Sequence, residues 1–291
     1  MRESQQKIES ETKRMTLVKV GEILRMADKA KTSAIGFNCL DYNTIKSVIS
    51  VAEELNKPAI VMLYPDHCLK YNWTTPEVFA SMVLSEAAKV KVPIGLHLDH
   101  CSDYNYIIQA IKAGFTSVMY DGSMLPIEEN IKNTREIARA AHAMGAEVEA
   151  ELGYVGFAST VTDQSDLDKY TKPEIAQSFC EQSTCDSVAI AIGSAHGFYK
   201  ETPKLDLNRL KEINAATETP LVLHGGSGIP NDQLEIAFQE GINKFNVGTE
   251  FLWLYLQTVR KFEGTDIADL PNLVQPALKD YLRQKMQLSK F

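Results

Sequence analysis

No stretch of this chain approaches the ~18 uninterrupted apolar residues that a membrane-spanning helix needs, so no membrane contact is expected. Basic charge is also in short supply. Against 38 Asp and Glu stand 30 Lys and Arg, a net charge of −8 at pH 7, which argues against a general nucleic-acid surface. It leaves room for a local anion site, because backbone N–H groups at helix N-termini hold phosphate without lysine. Cysteine is sparse: five residues, at 39, 68, 101, 180 and 185, form no Cys-x-x-Cys pair. An odd, scattered set predicts reduced thiols in a cytoplasmic protein rather than a disulfide framework. The first 14 residues lack the apolar core of a signal peptide. They read as a polar arm, and residues 15–291 as one domain.

What is present is an alternation. Apolar runs of strand length occupy 33–38, 58–64, 92–101, 116–121, 147–152, 187–193, 220–224 and 244–247. Helical spacing of apolar residues separates them, after a lead-in helix expected over 16–29. Thr75-Pro76-Glu77 opens one helix in the usual way, and Gly114 stops another. Two further helices, about 249–262 and 273–289, finish the chain. Eight strand–helix units predict an α/β fold, the (β/α)8 barrel, with extra C-terminal helices. A doubly wound open sheet is the alternative. Its Gly-x-Gly-x-x-Gly turn does not appear after the first strand, where the chain reads Gly36-Phe37-Asn38-Cys39.

The chain is organised around 92–101, a buried strand that ends in polar groups: His97, Asp99 and His100 fall within four positions. Alternation puts His97 and Asp99 on one face, and His100 on the other unless the strand ends there. A carboxylate beside an imidazole at a strand end suits proton transfer or metal binding. A hydrogen-bonded core histidine beside a helix N-cap is the plainer alternative. Cys101 is either a packed thiol or a reactive one.

In a barrel of this kind, sites gather at the C-terminal ends of the strands. Those ends carry Asn38, Asp99 with His100, Asp121, Glu151, His196, His224 and Asn246. Three of the six histidines sit at three such ends, as a His₃ metal site with an open position requires. Three unrelated histidines are the competing explanation. His97 reads as barrel-interior packing. His67 and His142 show no such placement, and His142 reads as a surface or packing residue.

Glycines flank the same histidines: His196-Gly197, His224-Gly225-Gly226-Ser227-Gly228 and Asn246-Val247-Gly248-Thr249. Loops after the last two barrel strands commonly bind phosphate, with glycine admitting the oxygens close to the backbone. An open metal site, a phosphate cradle and a nearby carboxylate together suit enolate formation from a phosphorylated ketone. In that chemistry the metal acidifies the carbon, the cradle orients the substrate, and Asp99 moves a proton on the partner's oxygen.

Over about residues 17–261 the chain resembles the class II, zinc-dependent ketose-bisphosphate aldolases, the fructose- and tagatose-bisphosphate aldolases. The matching motifs are PIGLHLDH at 93–100, SVMYDGS at 117–123, EAELG at 149–153, AIGSAHG at 191–197, LHGGSG at 223–228 and the Asn246-to-Thr249 loop. The resemblance implies that His100, His196 and His224 bind one catalytic Zn²⁺ and that Asp99 is the proton donor. It implies a dihydroxyacetone-phosphate site at Gly197, Gly225, Gly226, Ser227, Asn246, Val247, Gly248 and Thr249, often with a Na⁺ or K⁺ nearby. Asp121 and Glu151 match acidic positions that act as supporting or alternative metal ligands. A homodimer or homotetramer is implied by the resemblance alone.

Two departures concern the other end of the substrate. Relatives usually follow EAELG with Gly-Gly-x-Glu-Asp, whose glutamate shuttles the ketone's proton. Here the chain reads Gly153-Tyr154-Val155-Gly156-Phe157-Ala158-Ser159-Thr160, with no carboxylate before Asp163 and Asp166. These two are the candidate bases of a lid loop. Relatives also often carry Pro-Ala-Arg near the C-terminus, where this chain has Pro276-Ala277-Leu278. The expected activity is cleavage of fructose- or tagatose-1,6-bisphosphate to dihydroxyacetone phosphate and an aldehyde. The alternatives are an aldolase for an unusual ketose 1-phosphate with an unphosphorylated acceptor, and a non-catalytic sugar-phosphate-binding protein.

Overall fold

The computed structural model describes residues 16–156 and 170–291. A two-residue strand, β1 (Leu17–Val18), leads into helix α1 (Val20–Lys29). Eight parallel strands then close into a barrel: β2 (Ala34–Asn38), β3 (Ala59–Leu63), β4 (Ile94–Cys101), β5 (Ser117–Tyr120), β6 (Glu147–Leu152), β7 (Ser187–Ile190), β8 (Leu221–Leu223) and β9 (Ile242–Val247). Each pairs with its sequence neighbours, and β9 closes on β2 with Gly36 opposite Asn246.

The helices between them are α2 (Tyr42–Leu55), α3 (Asp66–Leu69), α4 (Pro76–Ala87), α5 (Tyr104–Ala113), α6 (Ile127–Ala143), α7 (Pro173–Ser183), α8 (Leu207–Ala216) and α9 (Asn231–Gln239). Two more, α10 (Thr249–Val259) and α11 (Leu270–Gln287), follow the last strand. The eight-unit barrel expected from the alternation is the fold observed. One boundary differs. The lead-in helix starts at Val20, because Leu17 and Val18 pair with Ile94 and Gly95. Pairing of β4 with β5 begins only at His97, so β1 covers an edge that would otherwise lie open.

The acidic strand β6 is explained by the barrel's interior. Residues two apart share a face, so Glu147, Glu149 and Glu151 form a column along the barrel axis, each buried. Glu147 accepts the amide of Gly21 at the base of the barrel. Glu149 meets Lys244 and His224 in the middle, and Glu151 reaches the mouth beside His100. The outward faces of the strands are apolar and pack under the helices in one large core. All five cysteines are free thiols, and Cys101 is buried.

Leu278, at the position where relatives often carry arginine, is fully buried in this core.

Candidate active site

A cavity of about 330 Å³ opens at the C-terminal ends of the strands. Its centre is made by an irregularity in β4. His97 and Leu98 pair with Ser117 and Val118, but Cys101 pairs with Tyr120, so β4 contains one extra residue. His100 takes a positive φ of 40° there. A bulge re-aims side chains, and this one brings Asp99 and His100 onto the cavity wall together. Simple alternation would have separated them. The N-cap of α5 is Asp103, whose carboxylate accepts the amides of Asn105 and Tyr106, so Asp99 has another task.

Asp99 is buried between two amides. Asn38 Nδ2 donates to one oxygen at 2.8 Å and Asn246 Nδ2 to the other at 3.1 Å. Burial pushes its carboxyl up, but His100, His224, Lys244 and the Asn38 bond outweigh it and hold Asp99 below the usual range. Asn38 and Asn246 stood among the strand ends in the sequence; Asn38 reaches Asp99 across β3, and Asn246 does so from β9, which closes on β2.

Three imidazoles converge beside Asp99. His100 Nε2 lies 3.2 Å from His196 Nε2 and 2.8 Å from His224 Nδ1. The opposite nitrogen of each ring faces an acceptor: His100 Nδ1 is 2.9 Å from Asp121 Oδ2, His196 Nδ1 3.2 Å from the Val155 carbonyl, and His224 Nε2 2.8 Å from Glu149 Oε1. Those acceptors orient the rings so that the three inner nitrogens face one another. Inner nitrogens this close must share a proton or a cation, and outer acceptors of this kind are how metal-binding histidines are oriented. These nitrogens, and a second set from His100, Asp121 and Glu151, each lie within a 4.8 Å span that could hold a metal ion. The donor set fits Zn²⁺.

The electrostatics agree with a site awaiting positive charge. Burial lowers His224 well below its ordinary value and takes His196 down to about 4, with His100 adding to both shifts. Burial works against His100 too, but Asp99, Asp121 and Glu151 overcome it and raise His100 to about 9. Burial, with Asp121 close by, lifts Glu151 to about 8. Glu151 Oε1 accepts the Val155 amide at 3.0 Å, whereas Oε2 is buried with no hydrogen-bond partner.

The loops after β7, β8 and β9 form one side of the cavity. Gly197, Gly225, Gly226, Ser227, Asn246, Gly248 and Thr249 all line it. At Gly226 an added Cβ would meet the Phe245 ring at 2.1 Å, so only glycine keeps the backbone this close. Ser227 Oγ accepts the Glu250 amide at 3.2 Å, tying the loop to the N-terminus of α10. Val247 differs from its neighbours. It alternates away from Asn246, and its side chain is buried in the core rather than on the cavity wall.

The opposite side holds residues that the sequence did not single out. Tyr64, His67 and Tyr154 line the cavity with Asp121 and Ser123. Ser123 Oγ donates to Asp121 Oδ1 at 2.7 Å. The Tyr64 ring packs edge-on between His67 and His100, at 5.5 and 6.4 Å between centroids. His67 therefore belongs to the wall after all, carried there by α3 just past the end of β3. Its signal was the Tyr64-Pro65-Asp66-His67 run that closes an apolar strand. His97 lies inside the barrel as expected, with Nδ1 2.9 Å from Ser117 Oγ, and His142 pairs with Asp186 on the outside. Asp163 and Asp166 lie outside the described residues, as does the polar arm.

The family model for class II fructose-bisphosphate aldolases matches residues 18–290. The chain belongs to that family. A fructose-bisphosphate aldolase of Geobacillus stearothermophilus is 35% identical over 263 residues, 90% of each chain. The crystal structure of the YdjI aldolase from Escherichia coli K12 superposes with a TM-score of 0.85 at 32% identity, covering 94% of this chain and 97% of the other. A fructose-bisphosphate aldolase from Campylobacter jejuni shares the fold, with a TM-score of 0.79 at 22% identity and coverage of 94% and 95%. The protein is thus an aldolase, a carbon–carbon lyase whose family acts on sugar phosphates. No described helix is long and apolar enough to cross a membrane.

Proposed function

We propose that this aldolase reversibly cleaves a ketose phosphate to dihydroxyacetone phosphate and an aldehyde in a metal-dependent reaction, with fructose- or tagatose-1,6-bisphosphate as the default substrate. The observation that carries the reading is the convergence of three imidazole nitrogens whose far sides are all tied to acceptors. His100, His196 and His224 would hold one divalent metal, Zn²⁺ by donor type, with Asp121 and Glu151 beside it. When bound there, such an ion polarises a ketone carbonyl and makes the neighbouring carbon more acidic.

The chain's own groups do the rest. The glycine loops and the N-terminus of α10 bind the donor's phosphate through backbone N–H groups, with a monovalent cation as a further occupant of that side. Asn38 and Asn246 fix both oxygens of Asp99, so that it can pass a proton to or from the oxygen at the carbon that becomes the aldehyde. A cytoplasmic homodimer or homotetramer is part of the same proposal, and light scattering would check the assembly.

A second reading is favoured by one observation. Away from the glycine loops the wall includes Tyr64, His67, Asp121, Ser123, Tyr154 and Val155, and among the described residues no lysine or arginine lines the cavity. This supports an acceptor aldehyde without a second phosphate. A cleavage assay with coupled detection of dihydroxyacetone phosphate, run over ketose 1-phosphates and 1,6-bisphosphates, decides between the two. Release from neither class would overturn both.

A further inference from the structure

Lys244 lies on the inner face of β9, two residues before Asn246, and is fully buried. Its Nζ is 2.8 Å from Glu149 Oε2. The other oxygen, Glu149 Oε1, is 2.8 Å from His224 Nε2. Ser187 Oγ adds a longer contact of 3.4 Å to Oε2. Both charged side chains are wholly shut off from solvent. A lone ion in such surroundings is costly, and a buried pair persists only with close partners on both groups. Nothing in the proposed chemistry calls on Lys244 directly, since the cavity lies one residue layer above it.

We propose that Lys244 is a positioning residue for His224: by engaging Oε2 it fixes Glu149 as an acceptor, so that Oε1 takes the Nε2 proton and Nδ1 is left bare toward the cavity. Neutral imidazole has one N–H, and the partner of one nitrogen decides the state of the other. Lysine offers only donors, and its charge 2.8 Å away favours the ionised carboxylate, which has only acceptors to turn toward His224. The chain Lys244, Glu149, His224 therefore sets a tautomer from the middle of the barrel. The same strand also carries Asn246 to Asp99, so β9 orients two neighbouring groups of the site at once. The inference rests on reading His224 as a metal ligand, although the tautomer itself can be observed without metal.

The test uses the full-length chain, stripped by a chelator and titrated with Zn²⁺ or Co²⁺. In the metal-free parent, ¹⁵N-resolved NMR of the histidine rings should show His224 protonated at Nε2. Protonation at Nδ1 overturns the proposal outright. Lys244→Met, which keeps the length and removes the charge, should weaken Zn²⁺ binding about 10- to 100-fold, the usual cost of losing an outer partner, and the single tautomer should be lost. Adding Glu149→Gln should bring the affinity back most of the way. The amide oxygen still accepts from Nε2, and no buried charge is left alone. If Lys244→Met does not fold, the double variant decides, and it should be folded and bind Zn²⁺. Parent affinity in Lys244→Met, or no recovery in the double variant, would mean that Lys244 only fills space. His224→Ala is the separate control for the metal reading: full metal occupancy there removes the ligand role but leaves the tautomer result standing.

Discussion

On the β7-to-β9 side the cavity wall is backbone, supplied by Gly197, Gly225, Gly226 and Gly248; on the β3-to-β5 side it is side chains, Tyr64, His67, Asp121 and Ser123. Backbone recognition suits a ligand that does not vary, because amides cannot be exchanged by substitution. It also demands glycine, since a Cβ at Gly225 would meet the backbone of Ala195 at 2.5 Å. Side-chain recognition suits the part of a substrate that differs between enzymes of one family. On the proposed function the glycine side is the donor half of the site and the other side the acceptor half, with the histidines and Asp99 on the seam.

Breaking the seam should have the largest effect. His224→Ala is expected to abolish turnover on every substrate and to lower bound metal below one equivalent per chain, measured by atomic absorption. Full occupancy would remove His224 from the ligand set.

Asp99 comes next. Asp99→Ala should keep metal and dihydroxyacetone phosphate but lose ~10²–10⁴ in rate, the range for a positioned acid or base. Binding calorimetry with single-turnover rates separates the two quantities. Near-normal turnover would hand the role to another group.

The proton on the donor's carbon tests whether the donor half is complete in itself. The usual loop glutamate is absent, and besides a metal-bound water two side-chain sources remain. Asp163 or Asp166 could supply the base; Glu151 is the other, held at the mouth with its Oε2 unpartnered. If the rigid scaffold does this work, Glu151→Gln should slow exchange of the dihydroxyacetone-phosphate C–H with solvent deuterium by roughly 10²-fold or more. Asp163→Asn and Asp166→Asn should then exchange at the parent rate. The reverse pattern would assign the base to the loop.

The two halves also differ in how far the sequence revealed them. Strand ends and glycines are local signals, so the gathering of His100, His196, His224 and the glycine loops at one cavity was legible from spacing once eight units were counted. Closure of the barrel was not local. Asn246 reaches Asp99 because β9 returns to β2, and the glutamates of β6 make sense only around an enclosed axis that also holds Lys244. The bulge at His100 left no mark in the alternation, which put Asp99 and His100 on opposite faces unless the strand ended there; β4 instead runs on to Cys101. Val247 was named from the resemblance, and strand periodicity turns its side chain into the core, which leaves its backbone for any ligand.

The smallest expected effect tests the acceptor half. His67 is buried, its Nδ1 has no hydrogen-bond partner, and it lines the cavity beside Tyr64. If this side reads only the aldehyde, His67→Ala should leave dihydroxyacetone-phosphate exchange and metal content unchanged. It should lower kcat/KM for the complete ketose phosphate by about 2- to 10-fold, the value of one ordinary hydrogen bond of roughly 0.5–1.5 kcal/mol. The loss should be greatest for the substrate whose aldehyde places a hydroxyl there, and smallest for glycolaldehyde as acceptor in the synthetic direction. A variant that slowed donor exchange as well would show that the two halves are not separable, and that His67 supports the seam through the Tyr64 ring packed against His100.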